Sequence, residues 1–353
     1  LLFPAATITE DSRRYTVRFL IPLVFLAVLP CFGQRQKPFH VEDFRDRHVL
    51  YCDLGVSPAP FNLHYPFSQD LKTLRYKNNF KPVLGLAYAY KWFSMRVAFP
   101  VLPGFRNKNL FGETQQFSLG FDYNFKRLYT DLDLRLNLGY ALKNAYLFDS
   151  TFTPSSPHDI QPALGSLNVA AHLWYFHHDE FKMNALQGKR AHFNGQVHTW
   201  YLKATANFFG ITTENNSIIP TLLHDPENSK TQSTAFSSLD LGLIPGYAYA
   251  NRIRNWQFSG WAGVGPVVQS KFYVLEGTTN GYIGLAPRYD IRFVGGYSTE
   301  KQFVLLAAHF DNKSIRFNDL RYDQYFYTIR LVTGYRIPPK TKHPKGRHRQ
   351  REE

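Results

Sequence analysis

The chain of 353 residues carries 41 Lys and Arg against 27 Asp and Glu, a formal net charge of +14, with 16% aromatic and only 19% charged residues. Such apolar content excludes disorder for the bulk of the chain, and the absence of any run of about 20 apolar residues after residue 33 excludes a helical membrane protein. Two cysteines, Cys31 and Cys52, exclude a disulfide scaffold, and no zinc-type Cys/His spacing occurs.

In chain order, Arg13, Arg14 and Arg18 precede an apolar stretch at 19–29, followed by Pro30, Cys31, Phe32 and Gly33. A basic start, a short apolar run and a small residue at the exit predict a secretory signal peptide over 1–33. Residues 34–47 read as a periplasmic N-terminal segment.

From 48 to 337 the dominant signal has period two. Leu128, Thr130, Leu132, Leu134, Leu136 and Leu138 alternate with Tyr129, Asp131, Asp133, Arg135, Asn137 and Gly139. Strict alternation over a dozen residues predicts a strand with one apolar and one polar face. The pattern recurs near 117–125, 166–175, 283–293 and 324–337, with softer strands near 49–56, 83–90, 93–99, 181–187, 197–209, 236–250, 256–273 and 302–310. Short turns alternate with longer loops near 57–80, 100–113, 142–165, 274–281 and 311–322, as in outer-membrane barrels. A short extra strand over 217–223 would bring the number to fourteen; merging that region gives twelve. Pro220 argues against the extra strand, but fourteen is the preferred count. Residues 338–353 are poor in apolar side chains and basic, and they read as a disordered tail.

The polar face carries Asp, Asn, Gly, Ala, Ser and Arg rather than the Lys and Glu of a soluble sandwich surface. Tyr88, Tyr90, Phe125, Tyr140, Tyr175, Tyr247, Tyr249 and Tyr335 sit near strand ends, as an interfacial aromatic girdle would. The fold class is therefore all-β: a transmembrane, antiparallel, up-and-down β-barrel of 12–14 strands in the bacterial outer membrane. Its partner is membrane lipid, and a monomer is the default state.

Several segments resemble an uncharacterised family of outer-membrane barrel proteins from Bacteroidetes-type bacteria. They are Leu84-Gly85-Leu86 leading to Tyr90-Lys91-Trp92-Phe93-Ser94, then Phe181-Lys182-Met183-Asn184-Ala185, Ile218-Ile219-Pro220, Pro245-Gly246-Tyr247-Ala248-Tyr249 and Gly263-Val264-Gly265. The resemblance covers most of residues 48–337. It implies a location and a fold, and no activity or site.

Parity places Asp122, Asp131, Asp133, Arg135, Arg288, Asp290, Arg292, Arg330 and Arg336 in the lumen. Barrel closure would set Asp53 opposite Arg330 or Arg336. These charges suit a constriction that binds or screens a small polar solute; they equally suit a salt-bridged filling that stabilises the lumen. A membrane-embedded lipid hydrolase or acyltransferase would need a Ser–His pair. His172, His198 and His309 and Ser118, Ser166, Ser259 and Ser270 lie on strands, but no Gly-x-Ser-x-Gly occurs and no catalytic residue is assigned. His177-His178-Asp179-Glu180 reads as a solvated turn, since adjacent residues there cannot converge on one metal ion. No cofactor is expected. The signal peptide argues against nucleic acid as a partner for the basic tail. The leading reading is a narrow solute channel or ligand-binding barrel; the enzyme and a structural or adhesive surface barrel are the alternatives.

Overall fold

The computed structural model describes residues 40–339 except Lys126 and Asn215. The signal peptide expected over 1–33 lies outside those residues, as does all but the start of the tail expected over 338–353. In chain order the strands are β1 (Val41–Asp43), β2 (His48–Val56), β3 (Phe61–His64), β4 (Thr73–Lys77), β5 (Val83–Tyr90), β6 (Phe93–Pro100), β7 (Gln115–Asn124), β8 (Leu128–Leu142), β9 (Asp159–Phe176), β10 (Ala191–Phe193), β11 (Val197–Thr212), β12 (Ala235–Ile253), β13 (Trp256–Leu275), β14 (Thr278–Ser298), β15 (Gln302–Arg316) and β16 (Arg321–Ile337).

Fourteen of these strands share one antiparallel sheet, and pairing of β16 with β2 closes it. The closed ring runs β2, β5, β6, β7, β8, β9, β11 to β16 and back to β2. The remaining pair, β3 and β4, forms a hairpin that bridges β16 to β8 at the loop end, through Arg321 opposite His64 and Tyr76 opposite Leu142. Fourteen is thus the count of the sheet, while the ring itself has twelve strands.

The two additional strands are not where the sequence placed them. Residues 181–187 do not form a strand: Met183–Gln187 is a helix, ended by Gly188 in the left-handed region at φ 67°. Met, Ala, Leu and Gln are good helix formers, and glycine accepts that conformation without a Cβ clash. At 217–223 Pro220 precedes a short 3-10 turn, Thr221–Leu223. The extra strands come instead from 57–80, where runs of only four and five residues give alternation too brief to register. The loop expected at 274–281 shrinks to Glu276 and Gly277, both with positive φ, the geometry of a two-residue hairpin turn.

Outward positions are apolar and exposed: Leu132 and Leu136 on β8, Leu241 and Leu243 on β12, Val264 and Val268 on β13, Ile329 and Leu331 on β16. Inward positions of the same sheet, such as Asp240, Gln269 and Thr328, are buried. An apolar outer face on a closed ring is a lipid-facing surface, because every backbone group of a paired strand is satisfied internally. Tyr88, Trp92, Phe125, Trp200, Tyr249, Trp256, Tyr297 and Tyr335 ring the turn end and remain exposed. Tyr140, assigned from the sequence to the girdle, is instead fully buried at the loop end. The bulge between Leu138 and Tyr140 resets its register.

The apolar core sits at the loop end rather than mid-barrel. Phe61, Leu74, Tyr76, Tyr140, Phe209, Ile219, Phe236 and Tyr322 pack into one buried cluster. Phe61 stacks on Tyr76 at 4.5 Å and meets Tyr140 edge-on at 5.1 Å. On the loop side of Asp290, β14 no longer pairs with β15. Side chains take over there: Arg288 donates to the Ser314 carbonyl at 3.0 Å, Gln269 to the same carbonyl at 2.8 Å, and Lys271 to the Arg316 carbonyl at 2.6 Å.

Candidate functional site

Two closures bound the lumen. At the loop end the buried aromatic cluster forms a cap. At the turn end the connection from β9 to β11 folds back inside as a plug. Its helix Met183–Gln187 and strand β10 pack with the N-terminal segment, whose β1 pairs with β10 from Val41 opposite Phe193 to Asp43 opposite Ala191. The segment 34–47 therefore enters the barrel over its described part instead of merely preceding it. Phe181, Met183, Ala185 and Leu186 are fully buried.

Polar contacts hold the plug to the wall. Arg190 donates to Asp122 on β7 and to the Phe93 carbonyl. Gln257 donates to the Ala185 carbonyl at 2.6 Å, and Ser259 to that of Leu186 at 2.5 Å. Arg336, fully buried on β16, donates to the carbonyls of Gly188 at 2.7 Å, Lys189 at 2.8 Å and Thr299, and to Ser298 Oγ at 3.0 Å. These carbonyls include the unpaired C-terminal end of the plug helix, where a cation is favoured. Arg336 thus grips the plug and does not face Asp53.

His192 on β10 is buried in the same contact, 2.5 Å from Glu42 and edge-on to Phe44. Burial, aided by the nearby Arg252 and Arg336 and opposed by Glu42, pushes its pKa down from 6.5 to about 4. A group neutral in the folded plug and protonated once released stabilises the plug fully above about pH 6.5, and that contribution declines as pH falls toward 4. Protease cleavage within 181–195 should therefore accelerate on acidification through this window, and His192→Asn should flatten the dependence. An unchanged pH profile in the variant would contradict the assignment.

Between the closures lies a polar chamber with two lobes of about 150 and 80 Å³, which share Tyr51, Arg96, Gln187, Lys189, Arg292, His309, Thr328 and Arg330. The larger has room for several waters.

The charges predicted for the lumen fall into separate groups. Asp53 on β2 accepts both guanidinium bonds of Arg96, at 2.6 and 2.7 Å, and Arg330 approaches at 4.0 Å. Gly85 lies between: a Cβ there would stand 2.4 Å from Asp53 and 2.7 Å from Arg96. Asp133 pairs with Arg135 two residues along β8 at 2.5 Å. Asp290 pairs with Arg292 at 3.0 Å and Lys203 at 2.5 Å, while Arg292 also reaches Asp131 at 3.6 Å. Asp131 further accepts from Trp174 at 3.1 Å. Arg288 binds Asp240 near the cap. Asp122 is committed to the plug through Arg190.

Sequence reasoning missed Arg96, Arg190, Lys203, Asp240, Asp311 and Lys313, all partners in these networks or their neighbours. Arg96, Lys203 and Asp240 stand on the inward parity of recognised strands and could have been found. Asp311 and Lys313 were assigned to a loop, but β15 continues through Arg316.

Among the described residues His172 and His309 do not bond to the strand serines. His172 Nδ1 lies 2.9 Å from Thr205, His198 Nδ1 2.5 Å from Tyr247, and His309 Nε2 3.2 Å from Asp290. One Ser–His contact was not anticipated, Ser217 Oγ to His224 Nε2 at 2.7 Å in the loop after β11. Both groups also bond the Ile219 carbonyl, which engages the proton a nucleophile would surrender. In the 177–180 turn, His177 stacks on Trp200 and Asp179 pairs with Arg127.

A family model described as a domain of unknown function, DUF4421, matches residues 54–337. No curated protein matches the sequence. Among solved structures, the chain is similar to the outer membrane protease OmpT of Escherichia coli at 9% identity and TM-score 0.39, covering 86% of this chain and 99% of that one. It is similar to the COG4313 outer membrane channel of Pseudomonas putida F1 at 9% identity and TM-score 0.36, covering 85% and 100%. It is also similar to the P. putida toluene transporter TodX at 8% identity and TM-score 0.29, covering 83% and 91%. At these levels neither the protease's chemistry nor the transporters' cargo passes to this chain.

Proposed function

The chain belongs to the DUF4421 family, for which no function is described, and we propose that it is a solute-binding barrel whose chamber is loaded from the turn side when the plug moves. It is an outer-membrane β-barrel protein. The observation that carries the reading is the unlike chemistry of the two closures. The cap is a continuous apolar cluster, costly to open because its burial would have to be undone. The plug has a smaller apolar contact, Phe181 on Phe176 of the wall, and is otherwise fastened by hydrogen bonds and ion pairs that can exchange for water. With long loops outside and short turns on the periplasmic side, loading is periplasmic. A purely structural barrel would also have a polar lumen, but paired charges would suffice for it, and Arg330 and Lys189 are left without a close acid among the described residues; we assign no catalytic role. The protein works as a monomer in lipid, and the quoted turn motifs support a Bacteroidetes-type source.

The test is access. In a Cys52→Ser background, Thr328→Cys places a thiol on the wall shared by both lobes. A bulky charged thiol reagent should label it slowly in the intact barrel, and at least ten times faster once residues 182–194 are replaced by a short turn. Neither protein should conduct steadily in a planar bilayer, because the cap persists. A steady current from the intact protein would make it a channel, and equal labelling rates would refute loading past the plug.

A further inference from the structure

We infer that the chamber binds a small oxyanion of the phosphate or carboxylate class between Arg330, Lys189 and Arg96, a specificity that rests on the solute-binding reading above. The basis is a local imbalance of charge. Among the described residues Asp53 is the acid that contacts these cations, and Arg96 already occupies both of its oxygens, at 2.6 and 2.7 Å; Asp133, the next acid towards Arg96, is paired with Arg135. Arg330 reaches Asp53 only at 4.0 Å, and its buried Nε has no hydrogen-bond partner among the described residues. Lys189 has no ion pair among the described residues; its ammonium lies 4.9 Å from the centre of the Tyr51 ring. The other acids along the chamber each have a cation of their own. Two positive groups are thus left over, and both border the two lobes.

An enclosed cation without a counter-charge is costly, and the cost is relieved when an anion enters. The chemistry favours an oxyanion over a halide. The guanidinium of Arg330, which borders both lobes, is a planar donor fork that two oxygens of one group can accept from in parallel. Lys189 adds a point charge from the plug side, and Thr328 a hydroxyl on the wall between. Because Lys189 follows the plug helix directly, the anion would also hold the plug shut behind it.

The experiment is equilibrium binding of inorganic phosphate, and separately of succinate, to the full chain in detergent at constant ionic strength set with chloride. Both the intact and the plug-shortened protein are used. Saturable binding of one ion per barrel is expected for one or both oxyanions. Arg330→Gln and Lys189→Gln should each weaken it at least tenfold, and Asp53→Asn should tighten it about tenfold by removing the competing carboxylate. Heat-modifiable migration verifies that each variant is folded; if Asp53→Asn is not, the two Gln variants decide. No saturable binding to either protein, undiminished binding in both Gln variants, or displacement by chloride at equal concentration would overturn the inference. Thr328→Cys labelling separates the two readings. Fast labelling of the plug-shortened barrel without anion binding removes only the anion, whereas unchanged labelling removes the loading route as well.

Discussion

Arg336→Met should free the plug. This guanidinium makes no ion pair among the described residues; it donates to the three carbonyls of Gly188, Lys189 and Thr299 and to the Ser298 hydroxyl. It also lies over Phe44 at 4.3 Å and Phe303 at 4.8 Å, so it ties the N-terminal segment, the plug and the wall at one point. Methionine fills much of the same volume but donates nothing. Carbonyls that are buried then lose their partners, at about 1–3 kcal/mol each. A released plug lets water reach them and removes that penalty, so the variant should favour the open form by about 3 kcal/mol over the parent. Thr328→Cys labelling should rise to the rate of the plug-shortened barrel, and protease should cut within 181–195 while the ring stays intact. Arg336→Lys should fall between, since one ammonium cannot reach all four acceptors. Slow labelling and an uncut plug in Arg336→Met would show that the apolar contacts of Phe181, Met183 and Leu186 hold it unaided.

The strands were legible because the outer face of this barrel is uniformly apolar. Leu128, Leu132 and Leu136 fix the parity of β8, and that parity carries Asp131, Asp133 and Arg135 inward without further information. Barrel closure brought Asp53 to Arg330 for the same reason. The closures were not legible. Five residues, Met183–Gln187, make too short a helix to show a period, and alternating Phe181, Met183 and Ala185 mimics a strand. The cap is assembled from β3, β4 and the loops after β8, β11 and β15, segments that meet only in three dimensions. Arg190 lies in a turn whose partner Asp122 is 68 residues away, and no local pattern links them. Parity thus identifies the chamber wall, but only the fold shows the cap and the plug that flank it.

The web around Asp290 gives the second large effect, and it separates a structural charge from a binding one. Asp290 is 2% exposed and meets Lys203 at 2.5 Å, Arg292 at 3.0 Å and His309 at 3.2 Å. Lys203 is itself buried, with its ammonium 4.8 Å from the centre of the Trp174 ring. Asp290→Ala leaves Lys203 without its acid in a site closed to water, and Arg292 keeps only Asp131 at 3.6 Å. Breaking one side of such a buried pair costs about 3–5 kcal/mol. The urea midpoint of the heat-modifiable form should fall accordingly. Replacing both partners, Lys203→Met with Asp290→Leu, removes the stranded charge together with its cause, and stability should return to within about 1 kcal/mol of the parent. The double variant should keep its oxyanion affinity, because Arg330, Lys189 and Arg96 lie outside this web. A double variant as unstable as Asp290→Ala would show that the web does more than neutralise itself. One that is stable but no longer binds phosphate or succinate would place the anion at Lys203 instead.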